Sequence, residues 1–324
     1  MKTIKLFFTG FWSDFNINDN MFTKILRKKF NIVIDGEDPD FLICSPLGKP
    51  YEYMKFDCPR IMYSGEYLSP DFSAIDYFIG YDNIDFGDRC FRFPLYLHNS
   101  QCTFNNGIAL TKDKAKQILQ EKKYFCNYIF GHDTALGKRE EILEKLSLYK
   151  RVECAGTHRN NMPDGQVYTY HTKKELMKLC KFSIAAESVS YPGFVSEKLA
   201  HAFRAHTIPI YYGAPDVGED FNENAFINCM SYNNIDDAIE AIIEIDNNDD
   251  LYINMLCENS YNLVNYEEIM INKLESFLYN IFIQDKGAAY RRPRFYRAGQ
   301  HESYLKEYNE FITTLPYRVW KKCK

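Results

Sequence analysis

The chain has no apolar run near the roughly 20 residues that a membrane-spanning helix needs, so no span is expected along its 324 residues. It has ten cysteines but no C-x-x-C pair, and they are spread evenly from Cys44 to Cys323. That spacing excludes a zinc-ribbon or thioredoxin-like motif. With Cys44 inside the apolar run FLICS, it suits buried thiols in a reducing compartment better than a disulfide framework. Net charge is only −5, too small for the chain as a whole to act as a polyanion binder. No internal repeat is visible. The first residues, MKTIKLFFTGFW, superficially resemble a secretion signal, but the apolar core is short and Asp14 follows closely, so an opening β-strand is expected and with it a cytoplasmic protein. Hydrophobic residues make up 46% of the chain, which excludes global disorder and leaves material for two cores. The 25 Tyr and 25 Phe suit contacts with sugars and bases, though they also build ordinary cores.

Short apolar segments alternate with helical ones along most of the chain. Strands are expected at 3–12, 31–34, 41–44, 60–64 and within 72–82. A helix is expected over 20–30, with Met21, Ile25, Leu26 and Phe30 on one face. Asp38-Pro39-Asp40 matches the D-x-D pattern of metal-dependent sugar transferases, but it precedes a strand, so it reads as a turn and no metal site is expected there. Glu66 follows the strand at 60–64, at the sheet edge where α/β proteins collect catalytic groups. Residues 99–108 are polar and form the best linker.

A second alternation follows: helix 111–123, strand 124–130, loop 131–137, helix 138–149 and strand 151–155. Next comes the turn Gly156-Thr157-His158-Arg159-Asn160, then a helix over 172–180. Lys138 and Arg139 open a helix, where cations oppose the dipole unless an anion is present. The stretch 181–217, KFSIAAESVSYPGFVSEKLAHAFRAHTIPIYYGAPDV, organises this half. It reads as strand, loop, helix, strand. Ser196 is expected to cap the helix with its hydroxyl, and Leu199, Ala202, Phe203 and His206 to share its inner face. Glu197 and Lys198 open that helix. Such a pair is usually a solvated helix start, but here it lies at the ligand-binding edge of a βαβ unit, and a helix N-terminus with a lysine favours a sugar diphosphate. Residues 233–281 are mostly helical behind a cap region at Asn234–Asp237. The segment 287–324 holds nine Lys/Arg against three Glu, with YRRPRFYR at its start. It suits packing back on an acidic body, or contact with anionic lipid or nucleic acid.

The pattern predicts an α/β fold of two Rossmann-like domains facing across a cleft: 1–110 on the acceptor side, 111–284 binding the donor, and a basic aromatic tail over 285–324.

At this point the chain resembles the bacterial-type α1,3-fucosyltransferases, the Lewis-antigen fucosyltransferases of glycosyltransferase family 10. The resemblance rests on KFSIAAES, FVSEKLAHAF and HTIPIYYGAPDV. Upstream it extends to YSGEYLSPDF with DY-x-IGYD, to R-x-PLY and to KREEILEKLSLYK, and it covers roughly residues 60–265. It implies a GT-B fold and inverting transfer of L-fucose from GDP-β-L-fucose to the 3-hydroxyl of GlcNAc or Glc in a lactosamine- or lactose-like glycan or a lipopolysaccharide. Carried over residue by residue, it implies Glu66 as general base and Arg139 on the pyrophosphate. It implies the pair Glu197 and Lys198 on the ribose or fucose and the diphosphate, with Glu197 counted among the catalytic residues, and Phe194 near the donor. Arg159 joins the donor set, no metal is implied, and no cofactor beyond the donor. The family usually has F-E-N where this chain has Ala186-Glu187-Ser188, so Ser188 replaces a donor-binding Asn and offers fewer hydrogen-bonding groups. Other readings are a GT-B transferase with another nucleotide sugar, and a non-catalytic glycan- or nucleotide-binding protein. A peripheral place on the cytoplasmic face of the membrane, through 287–324, rests on analogy, and no nucleic-acid partner is expected.

Overall fold

The computed structural model describes residues 1–98, 109–133 and 137–314. The expected linker 99–108 and the basic VWKKCK end lie outside the described residues. The described chain divides into two compact units, one of residues 1–93 and 271–324, the other of residues 94–270.

The first unit is built on a parallel six-stranded sheet of β1 (Thr3–Thr9), β2 (Asn31–Ile34), β3 (Phe41–Cys44), β4 (Arg60–Ser64), β5 (Tyr77–Gly80) and β6 (Cys90–Arg92), in the order β2-β1-β3-β4-β5-β6. Helix α1 (Met21–Leu26) joins β1 to β2. It starts where Asn20 accepts from the Thr23 N–H while the Thr23 hydroxyl side meets the Asn20 backbone, a reciprocal cap. FLIC, RIMYS and YFIG are buried at every position, the mark of parallel strands covered on both faces. Gly10 is required where the turn after β1 meets the one after β3. A Cβ there would lie 2.0 Å from the Ser45 carbonyl oxygen, and φ is +77°. Asp38 and Asp40 fall in the turn before β3, where the Asp40 carboxylate accepts from the Lys5 N–H at 2.9 Å.

In the second unit, helix α2 (Leu95–His98) and helix α3 (Lys112–Glu121) precede β7 (Tyr124–Tyr128). Then come α4 (Lys138–Tyr149), β8 (Val152–Cys154), α5 (Lys173–Leu179), β9 (Cys180–Ala186), α6 (Glu197–Arg204), β10 (Ile208–Tyr212) and β11 (Ile227–Asn228). The unit closes with α7 (Ile235–Asn247) and α8 (Asp249–Leu256). Its parallel sheet runs β11-β10-β9-β7-β8. Counted from each unit's first strand, the sheets therefore wind 2-1-3-4-5-6 and 2-1-3-4-5, the doubly wound Rossmann-like pattern of GT-B proteins. Its topological switch lies between strands one and three, where ligands bind at the strands' carboxyl ends. In the second unit that switch is the β7/β9 edge. The core here joins Phe125, Tyr128, Ile142, Leu146, Phe182, Ile184, Ile208 and Ile210 with the inner face of α7.

Helix α9 (Tyr266–Phe282) carries the chain out of the second unit, and α10 (Arg297–Thr313) ends the description in the first. The division thus falls at 93/94 and 270/271, against 110 and 284 from the sequence, because the chain returns to the first unit. The basic segment packs back on that unit. Asp76 accepts from the backbone N–H groups of Arg60, Arg291 and Arg292 and pairs with the Arg292 guanidinium. Arg60 reaches Glu302 of α10 at 2.8 Å, and both arginines are fully buried. Such charges are tolerated inside only when paired and hydrogen-bonded. Arg291 pairs with Asp88 at 2.7 Å and Arg294 with Asp57 at 2.9 Å, so these arginines are held by the unit's own carboxylates. Among the described residues no helix is long and apolar enough to cross a membrane.

Candidate active site

Two cations meet at the β7/β9 edge. Arg139 is the second residue of α4, which starts behind Gly137, whose left-handed φ of +62° sets the turn into the helix. Its guanidinium is buried, donates to the Ala186 carbonyl at 3.1 Å and the His132 carbonyl at 3.2 Å, and lies 3.8 Å from the Phe130 ring centroid. Nε is buried without a hydrogen-bond partner. Burial lowers its pKa, and nearby Tyr128, Glu140 and Glu187 work against that. One residue beyond Ala186, the carboxylate of Glu187 is held at the end of β9 by the Ser196 N–H at 2.8 Å, the Ser196 hydroxyl at 2.7 Å and the Lys198 ammonium at 2.9 Å. Burial pulls the Lys198 pKa down, but Glu187 and Glu197 win and raise it, so the ammonium stays charged. Arg139, from the β7–β8 crossover, and Lys198, from the β9–β10 crossover, therefore converge on Ala186 at the end of β9 and Glu187 just past it, beside the start of α6. This arrangement suits an anion.

Ser196 does not cap α6 with its hydroxyl as expected. The hydroxyl serves Glu187 instead, a long-range acceptor stronger than the local choice because it is ionised. The face of α6 also differs. Leu199 and Ala202 are buried and Phe203 is half-buried, but the helix ends at Arg204, and His206 lies exposed in a left-handed turn at φ +49°. The buried histidine is His201.

Glu197 lies 3.5 Å from Lys173. Burial would raise its pKa, yet Lys198 and Lys173 hold it well below the usual carboxylate range. Phe194 is buried in the loop between β9 and α6, and Ser188 is half-buried at the exit of β9. Arg159 turns outward and pairs with Glu144 at 3.2 Å. In the first unit Glu66 is exposed two residues past β4. Its backbone is pinned by the Ser64 side chain, which donates to its carbonyl at 3.0 Å and accepts its N–H at 3.3 Å. Sequence reasoning missed Glu187, Lys173 and His201. The one signal for Glu187 was a carboxylate directly after the apolar end, Ile184–Ala186, of β9.

His201 makes a prediction possible. Burial, reinforced by Lys173, lowers its pKa from 6.5 to about 3. Between those values the unfolded chain binds a proton that the folded chain refuses, so stability falls as pH drops through that window. From pH 7 to pH 5 this one group withdraws about 2 kcal/mol. Glu197, with its pKa also depressed, adds loss in the same direction at lower pH. A His201→Gln protein followed by urea unfolding at both pH values should show a flatter pH dependence than the wild type; an unchanged slope refutes the assignment.

The profile "Alpha-(1,3)-fucosyltransferase FucT N-terminal domain" matches residues 6–99, and that of the glycosyltransferase family 10 (fucosyltransferase) C-terminal part matches 119–270. A curated relative, the α-(1,3)-fucosyltransferase FucT of Helicobacter pylori, is 28% identical over 87% of this chain. The chain spans 66% of that relative's own length. Among solved structures, an α1,3-fucosyltransferase crystal structure is similar with a TM-score of 0.72 and 27% identity, over 88% of this chain and 91% of that one. A structure of an α1,3-fucosyltransferase with GDP-fucose is similar with a TM-score of 0.71 and 26% identity, over 88% and 92%.

Proposed function

This chain belongs to the fucosyltransferases of glycosyltransferase family 10, and from that premise we propose that it moves L-fucose from GDP-β-L-fucose to the 3-hydroxyl of GlcNAc or glucose in a lactosamine- or lactose-like glycan, with inversion. The observation that carries the reading is the convergence of Arg139 and Lys198 on Ala186 and Glu187 at the switch of the second sheet. As the glycosidic bond breaks, negative charge grows on the departing GDP. Arg139, Lys198 and the start of α6 stabilise that charge in place. Glu66 takes the proton from the acceptor hydroxyl as it attacks the face opposite GDP. One displacement by one activated hydroxyl inverts the anomeric centre, and the cations make a metal on the diphosphate unnecessary.

Glu187 has a positioning role in this scheme: it fixes Lys198 and the first residue before α6 together. Phe194 and Ser188 flank the sugar and nucleotide, Glu197 next to Lys198 holds the ribose or fucose, and Arg159 lies further out. The test is calorimetric titration with GDP, GDP-fucose, GDP-mannose and UDP-galactose without added metal, followed by transfer assays on lactose and N-acetyllactosamine. Binding limited to GDP and GDP-fucose, with product linked at the 3-position, is the expected result. Preference for another donor assigns Ser188 a change of substrate, and binding without transfer reduces the chain to a nucleotide-sugar receptor.

A further inference from the structure

Behind Arg139 lies a second set of polar atoms that the transfer scheme does not use. Asp133, Glu140 and His158 each bring one ligating atom to within 4.8 Å of the other two. Glu140 is in the first turn of α4 and only 7% exposed. One of its oxygens accepts from the Tyr128 hydroxyl at 2.9 Å; the other, Oε2, is buried with no hydrogen-bond partner. The His158 Nε2 is likewise buried and without a hydrogen bond, 3.7 Å from Glu140 Oε1. That separation is too long for a hydrogen bond. It is close to the roughly 3 to 3.5 Å between two ligands bound about 2.1 Å from one ion. Two buried atoms without hydrogen-bond partners, Glu140 Oε2 and His158 Nε2, therefore sit on adjoining side chains, as the ligands of one cation would.

The backbone holds this geometry from outside the donor site. The His158 N–H donates to the Phe130 carbonyl at 3.0 Å, and the Thr157 hydroxyl to the Gly131 carbonyl at 2.9 Å. Gly156 is obligatory at this crossing, since a Cβ would lie 2.0 Å from the Phe130 oxygen. His158 is therefore pressed against the β7–α4 connection that carries Asp133 and leads to Glu140.

We propose that Asp133, Glu140 and His158 form a site for one divalent transition-metal cation of the zinc, cobalt or manganese class. One imidazole nitrogen and two carboxylate oxygens suit those ions better than magnesium or calcium, which prefer all-oxygen shells. Two carboxylates balance the dication, and open positions remain for water. The ion ties the turn after β8 to the first turn of α4, one residue from Arg139.

The test is titration of chelator-treated, full-length protein with Co²⁺ and Zn²⁺ in the absence of nucleotide, read by cobalt absorption and by zinc competition. One equivalent should bind. His158→Ala should weaken binding at least about tenfold. Glu140→Gln, which keeps an acceptor for Tyr128, should weaken it as well. Arg139→Ala, which loses the diphosphate contact, should bind the metal at least as tightly, so failure of the donor reading and failure of this site are separable. No uptake at millimolar cobalt, or uptake indifferent to His158 and Glu140, overturns the site.

Discussion

Lys198→Ala should bind GDP roughly a hundredfold more weakly than the wild type, a loss of about 3 kcal/mol. Two effects add. The ammonium is lost from the diphosphate, and Glu187, whose carboxylate is fully buried, loses its counter-ion. An unpaired buried carboxylate repels the very anion the site has to take. Lys198→Ala combined with Glu187→Gln should therefore recover part of the lost affinity, because the repulsion goes while the missing cation does not return. Glu187→Gln alone should weaken binding less than Lys198→Ala, since the amide oxygen still accepts from the Ser196 N–H. Calorimetry with GDP measures the affinities, and urea unfolding of the same proteins separates binding from folding. Unaltered GDP affinity in Lys198→Ala would remove the diphosphate assignment, and additive effects in the double variant would remove the coupling to Glu187.

That coupling marks the limit of what the sequence discloses. Strands β2, β3 and β4 and helix α4 have the limits expected from pattern alone. The signals are local: apolar runs for the strands, the loop 131–137 before α4 and, for α7, the cap region where Asn234 accepts from the Asp237 N–H. The topological position of Arg139 and Lys198 was equally legible, because a strand-to-helix junction is a local event. Which carboxylate partners Lys198 was not. Glu197 is adjacent in sequence, yet Glu187, eleven residues upstream, makes the ion pair, as only the return of α6 against the end of β9 brings them together. Ser196 was misread for the same reason. A hydroxyl before a helix reads as a cap until an ionised acceptor from another element competes for it. Likewise Arg292 meets Asp76 from 216 residues away, so a basic tail with two open readings became part of the first unit's core only once the fold was known.

Glu66→Gln should lower kcat by about 10²- to 10⁴-fold, the usual contribution of a general base, with GDP affinity unchanged. The base acts on the acceptor hydroxyl only as that hydroxyl attacks, so its removal is felt in the transition state and not in the bound donor. The chain supports a clean experiment. Glu66 is exposed in a loop of the first unit, whereas Arg139 and Lys198 belong to the second. Surface substitutions of this kind change stability by less than about 0.5 kcal/mol, so lost turnover cannot be blamed on unfolding. The side chain is nonetheless not adrift, because Ser64 holds its backbone at both the N–H and the carbonyl just past the end of β4. Ser64→Ala should then cost less than Glu66→Gln, and in kcat more than in acceptor KM, because it loosens the base without removing it. Full turnover in Glu66→Gln would strip Glu66 of its role. Loss of turnover together with lost GDP affinity would make it a donor ligand instead, and the proton would have to leave through another group of the first unit.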